Sequence, residues 1–160
     1  MSQPELGDHA PTFTATVGTS DHESFDLEDH LGDGPVVLAF FPGAFTSVCT
    51  TEMCTFRDRL GSFEDVDATV FGVSGDSPFA LDEFREQHDL SFPLVSDYEK
   101  ELMDAYDVRS SFDHIGLDGV AKRAVFVVDT DGEITYAWVS DDPGVEPNYD
   151  EVVDAASAAH

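Results

Sequence analysis

Cys49 lies where an apolar run over residues 35–41 gives way, after a short loop, to a helical pattern over about 47–60. Pro42 and Gly43 end the run, because proline has no N–H to donate to a sheet and glycine tolerates unusual dihedral angles. The sequence therefore predicts a strand, a loop and a helix in succession, with Cys49 in the first turn of the helix.

The start of this predicted helix offers a thiol surroundings that favour its ionised form. Thr46 or Ser47 can cap the helix through its side-chain oxygen, and either cap places Cys49 among amides that have no partner inside the helix. Those amides and the helix dipole favour a negative charge on sulfur, and the thiolate is the nucleophilic form of cysteine. The alternative is that Cys49 is a small buried hydrophobic residue, as most free cysteines are. The residue pattern alone leaves both interpretations open.

The spacing Pro42-x-x-x-Thr46-x-x-Cys49 resembles the active-site motif of the peroxiredoxins, which are thiol peroxidases of thioredoxin-like fold. The resemblance implies that Cys49 is the peroxidatic cysteine, that the Thr46 hydroxyl positions the peroxide, and that Pro42 shields the thiolate. Glu52 stands where many members carry a glutamate that orients an active-site arginine. Arg123, in the pattern Arg-x-x-Phe-x-x-Asp, resembles that arginine, which would stabilise the thiolate and hydrogen-bond the peroxide. The alternative for Arg123 is a surface ion pair.

Cys54 is the second of the two cysteines and lies on the same predicted helix. With the Phe-Arg-Asp sequence at 56–58, the Cys-x4-Cys spacing resembles the bacterioferritin-comigratory, or PrxQ-like, branch of the family. That resemblance implies that Cys54 resolves the Cys49 sulfenic acid as an intramolecular disulfide. The alternative is that Cys54 is a core residue and that another thiol resolves Cys49.

Helix geometry places a condition on that disulfide. Residues five apart on an α-helix have Cα atoms roughly 8–9 Å apart, whereas a disulfide requires less than about 7 Å. The first turns of the helix would therefore have to unwind before Cys49 and Cys54 could bond. A structural metal site is not expected, because two cysteines at this spacing do not supply four ligands.

The rest of the chain alternates strands and helices. Continuous apolar runs over 36–41 and 68–74 predict central strands covered on both faces. A capped helix that begins at Pro78 follows the second run. Its apolar side chains, expected to face the core, are Phe79, Leu81 and Phe84. Repeated strand–helix units predict parallel wiring, and the resemblance implies one α/β domain over 1–160, a thioredoxin-like mixed sheet flanked by helices on both faces.

Several shorter segments carry separate expectations. A turn over 18–23 joins two N-terminal strands, and Gly61 is expected to end the helix that carries the cysteines. The Asp-Gly pair at 131–132 predicts a hairpin between the last two strands. A C-terminal helix is expected from Asn148 onwards. His114 lies in a glycine-rich polar loop over 110–119, for which the sequence predicts no catalytic role.

The chain is strongly acidic, with 34 acidic residues, 7 basic residues and a net charge of -27. Such a surface repels nucleic acids and anionic membranes. Because the acids are spread along the whole chain, the composition resembles adaptation to a salt-rich cytoplasm, as in halophilic archaea. Neither a signal peptide nor a membrane span is apparent in the sequence, so a cytoplasmic location is expected.

The resemblance implies two-electron reduction of hydrogen peroxide or an organic hydroperoxide, with Thr46 and Arg123 donating hydrogen bonds to the peroxide. It also implies a thioredoxin-like dithiol as reductant, no metal, haem or flavin cofactor, and a monomer or a homodimer. Two rival interpretations stay open. One is a single-cysteine peroxidase in which Cys54 is structural, and the other is a thiol redox sensor without enzymatic turnover.

Overall fold

The computed structural model describes residues 4–18, 23–142 and 144–159. In this part of the chain the strands are β1 (Thr14–Val17), β2 (Ser24–Asp26), β3 (Val36–Phe40), β4 (Thr69–Ser74), β5 (Leu94–Ser96), β6 (Arg109–Phe112), β7 (Leu117–Ala121), β8 (Arg123–Val128) and β9 (Ile134–Ser140). The helices are α1 (Ser47–Asp58), α2 (Leu60–Glu64), α3 (Pro78–Gln87), α4 (Glu101–Ala105) and α5 (Tyr149–Ala158), with 3-10 turns at Leu27–His30 and Asp113–Ile115.

Seven strands form a mixed sheet in the order β2-β1-β5-β4-β3-β8-β9. The strands β3, β4 and β5 run parallel, as the repeated strand–helix units predict, and the remaining pairs are antiparallel. At the centre, Leu38 on β3 lies between Phe71 on β4 and Phe126 on β8. The two most buried strands, β3 and β8, are therefore neighbours, and the strand that leads into Cys49 lies beside the strand that begins with Arg123.

Alternate side chains of β3 face opposite sides of the sheet and belong to two separate core clusters. One cluster contains Leu38 and Phe40 and is covered by α4 and the segment that follows it. The other contains Val37 and Ala39 and is covered by α1, α2, α3 and α5. The expected thioredoxin-like fold with helices on both faces is confirmed.

The sheet face that carries α1 also holds Trp138, the one tryptophan of the sequence. Trp138 lies on β9 opposite Val125 of β8. It is partly buried and packs against the core cluster that contains Cys49 and Phe56. The indole therefore lies in the same packed layer as α1.

Three local expectations are wrong. Gly61 does not end the helix, because α1 stops at Asp58 and Gly61 lies inside α2. Phe79 does not face the core: it is 72 % exposed, while Leu81 and Phe84 are fully buried. The segment 110–119 is not a loop but most of a β-hairpin formed by β6 and β7, with exposed His114 near its tip.

Most of the turn expected over 18–23 lies outside the described residues, although the strands that it joins are paired as expected. The hairpin predicted at 131–132 is present, with the Gly132 amide donating to the Asp129 carbonyl at 3.0 Å. Asn148 caps α5 by accepting from the Glu151 amide. No helix among the described residues has the length and apolar character needed to cross a membrane.

Candidate active site

The loop after β3 turns the chain into α1 without the side-chain cap that the sequence predicts. Thr46 occupies the capping position with extended backbone angles, φ −88° and ψ 152°, but its side chain accepts no capping hydrogen bond. Its hydroxyl instead donates to the Gly43 carbonyl at 2.9 Å. The proton of the Thr46 hydroxyl is therefore engaged by the loop, and the lone pairs of its oxygen remain available as acceptors.

Cys49 is the third residue of α1 and is 1 % exposed. The first backbone bond of the helix runs from the Thr50 amide to the Thr46 carbonyl, at 2.9 Å. The amides of residues 47–49 precede that bond and have no partner within the helix. The first turn also contains no acidic residue, so the positive end of the helix dipole is not neutralised locally.

Arg123 connects this sulfur to a buried carboxylate. Its Nη2 atom lies 3.1 Å from the Cys49 Sγ atom, and its Nη1 atom lies 2.8 Å from the Glu52 Oε1 atom. Arg123 is 1 % exposed and Glu52 is fully buried. The guanidinium therefore donates to both groups at once, through two nitrogens that its planar fork holds in fixed positions.

The buried ion pair perturbs the pKa values of both partners. Burial raises the pKa of Glu52 to about 7, and the attraction of Arg123 only partly opposes this effect. Burial alone would lower the pKa of Arg123, but Glu52 and Cys49 together raise it above its ordinary value. Arg123 therefore stays charged. The second carboxyl oxygen of Glu52, Oε2, is buried and has no hydrogen-bond partner among the described residues.

A pocket of about 240 Å³ opens at the protein surface, and Cys49 is one of its lining residues. Four of the predicted site residues line it together: Pro42, Thr46, Cys49 and Arg123. Val48 and Phe112 add apolar wall, and Phe112 comes from the β6–β7 hairpin. Glu52 lies behind Arg123 rather than in the pocket, which fits its contact with the guanidinium.

Cys54 lies on α1 outside the lining of this pocket and is partly buried, and both cysteines are free thiols. The helix between them is rich in threonine. The Thr50 hydroxyl donates to the Thr46 carbonyl at 2.7 Å, and the Thr51 hydroxyl donates to the Ser47 carbonyl at 3.1 Å. Such back-bonding slightly destabilises a helix, and threonine is a poor helix former.

The second half of α1 is anchored more firmly. Phe56 is fully buried and packs edge-on against the Tyr149 ring of α5, with ring centroids 5.3 Å apart. Arg59, just after α1, forms an ion pair with Asp150 and lies over the same tyrosine ring. Cys49 therefore lies in the weaker first half of the helix, whereas Cys54, its eighth residue, lies in the anchored second half.

Sequence reasoning missed Asp76, which follows β4 in the turn before α3. Its Oδ2 atom accepts a hydrogen bond from the Ala44 amide at 2.7 Å, so this carboxylate holds the loop between β3 and α1. The one available signal was topological, because the turn after β4 and the loop after the adjacent parallel strand β3 meet at the same edge of the sheet.

The arrangement can stabilise a thiolate and a small polar molecule beside it. The Arg123 cation lies 3.1 Å from the sulfur, Cys49 belongs to the first turn of α1, and Cys49 lines a pocket that a ligand can enter. In the described part of the chain no group of three or more histidine, cysteine or acidic side chains is arranged to hold a metal ion.

Comparison with known proteins gives a consistent result. The model of the AhpC/TSA family matches residues 6–137. The chain is 39 % identical over 133 residues to a putative peroxiredoxin of Mycobacterium tuberculosis, covering 82 % of each chain. It is 37 % identical over 136 residues to peroxiredoxin Bcp of Bacillus subtilis, covering 84 % of each.

Solved structures give the same picture. Peroxidoxin BcpB from Mycobacterium tuberculosis superposes with a TM-score of 0.85 at 28 % identity, covering 99 % of both chains. A C47S variant of PrxQ from Xylella fastidiosa superposes with a TM-score of 0.84 at 29 % identity, covering 99 % of this chain and 98 % of that one.

Proposed function

Because this chain belongs to the AhpC/TSA family and is a thiol peroxidase of the peroxiredoxin type, we propose that Cys49 is the sulfur that reduces the peroxide. The observation that carries the proposal is the 3.1 Å contact between Arg123 Nη2 and Cys49 Sγ at the base of an open pocket. A positive group at this distance favours the thiolate, which is the reactive form.

In the proposed reaction the Cys49 thiolate attacks the distal oxygen of a hydroperoxide. A sulfur–oxygen bond forms, the oxygen–oxygen bond breaks, and the leaving oxygen takes up a proton to become water or an alcohol. The sulfur is oxidised by two electrons to a sulfenic acid. Arg123 donates to the peroxide oxygens as negative charge moves onto them.

For Thr46 we propose the opposite polarity to that expected from the sequence, an acceptor rather than a donor towards the peroxide. Since its hydroxyl proton is donated to the Gly43 carbonyl, its oxygen is suited to accept a hydrogen bond from the peroxide O–H. The pair Arg123 and Thr46 then supplies one donor and one acceptor, which would orient the peroxide with its distal oxygen towards the sulfur. Pro42, which is buried in the wall of the pocket, would shield the sulfur from water.

Cys54 is proposed to resolve the oxidised sulfur. Its sulfur attacks the Cys49 sulfenic acid, a sulfur–sulfur bond forms, and the sulfur–oxygen bond breaks as hydroxide leaves and takes up the proton that the Cys54 thiol has lost, which gives water. The weak threonine-rich start of α1 supports this step, because the helix must unwind before the two sulfur atoms can meet. An external dithiol, which we expect to be thioredoxin-like, then reduces the disulfide.

Peptide mass mapping after one equivalent of peroxide tests this assignment. Wild-type protein should yield a peptide cross-linked between Cys49 and Cys54. C54S should reduce one equivalent of peroxide and accumulate the sulfenic acid, but lose turnover with a thioredoxin system. C49S should reduce none. Full turnover of C54S with thioredoxin would instead favour the single-cysteine mechanism, and a wild-type protein that reacts only over hours would favour the sensor.

The pocket supports hydroperoxides that carry an apolar group. Val48 and Phe112 provide hydrocarbon surface next to the sulfur, and a volume of about 240 Å³ exceeds the roughly 30 Å³ that one water molecule occupies in the liquid. Hydrogen peroxide fits the same site but leaves these walls without a partner. We therefore expect organic hydroperoxides to be reduced at least as well as hydrogen peroxide.

A homodimer is the oligomeric state that the surface favours. Phe45, Phe79 and Tyr98 are 51 %, 72 % and 67 % exposed, and they follow the parallel strands β3, β4 and β5 at the same edge of the sheet. Light scattering distinguishes a monomer of 17.4 kDa from a particle of twice that mass. The single domain over 1–160 and the cytoplasmic location stay predictions.

A further inference from the structure

The turn that carries Asp76 is fixed on three sides. Its Oδ2 atom accepts from the Ala44 amide and from the Ser74 hydroxyl, each at 2.7 Å. The Ser96 hydroxyl donates to the Asp76 main-chain carbonyl at 2.6 Å. Ser74 ends β4 and Ser96 ends β5, so the carboxylate is held by the rigid edge of the sheet and reaches from there to the loop after β3.

One peptide group joins this carboxylate to Thr46. The amide of the bond between Gly43 and Ala44 donates to Asp76, and the carbonyl of the same bond accepts from the Thr46 hydroxyl at 2.9 Å. Hydrogen bonds in such a chain polarise one another, and a bond to a carboxylate is stronger than a neutral one. A carboxylate on the amide therefore makes the carbonyl a better acceptor for the threonine proton.

The loop needs such an anchor because its backbone is strained. Phe45, between Ala44 and Thr46, has a φ of 68°. This left-handed conformation is a genuine outlier for a bulky residue, and such strain persists only where the surroundings hold it. The Phe45 side chain is half exposed, so burial of its ring offsets only part of the free-energy cost of this backbone conformation.

We propose that Asp76 is a positioning residue for the peroxide, acting through the 43–44 peptide on the Thr46 hydroxyl. The site then has two independent supports: Glu52 and Arg123 hold the sulfur, and Asp76 holds the group that receives the peroxide. The inference rests on the proposed function, because it assumes that Thr46 contacts the peroxide. If the turn served only packing, replacement of Asp76 would disturb the sulfur and Thr46 equally.

D76A separates these possibilities when two reactions of Cys49 are compared in a C54S background. The first is the rate constant for oxidation by peroxide, and the second is the rate constant for alkylation by iodoacetamide, which needs the thiolate but not Thr46. We expect D76A to lower the peroxide rate at least tenfold and to leave the alkylation rate within twofold. In the T46V background, D76A should lower the peroxide rate by less than twofold, because the group that it positions is absent.

D76N serves as the conservative variant, since its amide oxygen can still accept from the Ala44 amide, and it should oxidise faster than D76A. E86A removes one exposed negative charge from α3 and should match the parent protein in both reactions. The proposal is overturned if D76A leaves the peroxide rate unchanged, or if D76A lowers the alkylation rate as much as the peroxide rate. It is also overturned if the D76A/T46V double variant loses peroxide rate by the product of the two single-variant factors. If the parent protein reduces no peroxide through Cys49, the proposed function itself fails, which is a different result.

Discussion

Replacement of Arg123 by methionine should make Cys49 react about 10- to 160-fold more slowly with an alkylating agent at pH 6. The arginine is 1 % exposed and donates to the sulfur at 3.1 Å. A hydrogen bond to a charged group contributes about 1.5–3 kcal/mol, and each 1.36 kcal/mol changes a population about tenfold. The loss of that bond, which favours the nucleophilic sulfur anion, should slow alkylation by up to the same factor.

The variant should still fold, because Glu52 can adapt to the loss of its partner. The pKa of Glu52 is already raised to about 7 by burial, so without Arg123 the carboxyl can stay protonated and no buried charge remains. Methionine preserves much of the length of the side chain and its packing. Circular dichroism at pH 6 checks that the fold is retained.

The assay is alkylation by iodoacetamide in a C54S background, so that Cys49 is the only thiol that can react. R59M is the matched control, since Arg59 lies on the surface in an ion pair with Asp150, and its rate should equal that of the parent. The R123K rate should fall between those of the parent and R123M, because lysine keeps the positive charge but replaces the planar fork of donors by a single nitrogen. An R123M rate within threefold of the parent, with the fold intact, would refute the role given to the guanidinium.

Further predictions concern pH, salt and substrate. Between pH 4.5 and about 7 native Glu52 keeps a proton that the unfolded chain releases, so this residue lowers the free energy of unfolding as pH rises, by about 3 kcal/mol in total. Urea denaturation measures the free energy of unfolding of the wild type and of E52Q. The wild-type value minus the E52Q value should decrease between pH 4.5 and about 7 and stay constant above that range. With a net charge of -27, the melting temperature should rise from dilute buffer to molar KCl as repulsion is screened, and no rise would contradict this. F112A should lower kcat/KM for cumene hydroperoxide about fivefold, as loss of about 1 kcal/mol of apolar contact implies, with hydrogen peroxide within twofold. Equal losses for both would argue against Phe112 as a substrate wall.

The central strands and the corner at Cys49 could be predicted because their signals are local. The apolar run of β3, the breakers Pro42 and Gly43, and the helical spacing that follows are all visible within about 20 residues. Arg123 lies 74 residues from Cys49 and was placed through the family motif rather than through physics. The structure brings it to the sulfur because β3 and β8 are neighbours in the sheet.

The sequence-based predictions are wrong or incomplete where contacts between distant parts of the chain determine the position of a side chain. Phe79 and Leu81 are two residues apart on a helix and so point in nearly opposite directions, and only Leu81 meets the sheet. Thr46 has a side chain suited to a cap, but in the folded loop its hydroxyl donates to the Gly43 carbonyl and accepts no capping hydrogen bond. Asp76 could not be linked to Ala44 from the sequence, since nothing local to either residue indicates a contact across 32 positions.

From its position we expect Trp138 to act as an optical reporter of the proposed disulfide. Indole emission depends on the polarity and packing around the ring, and this ring belongs to the layer that α1 must partly leave when its first turns unwind. Oxidation by peroxide should therefore change the intrinsic fluorescence in step with disulfide formation, and C54S should lack that phase. Stopped-flow emission would then time the opening of the helix without any attached dye.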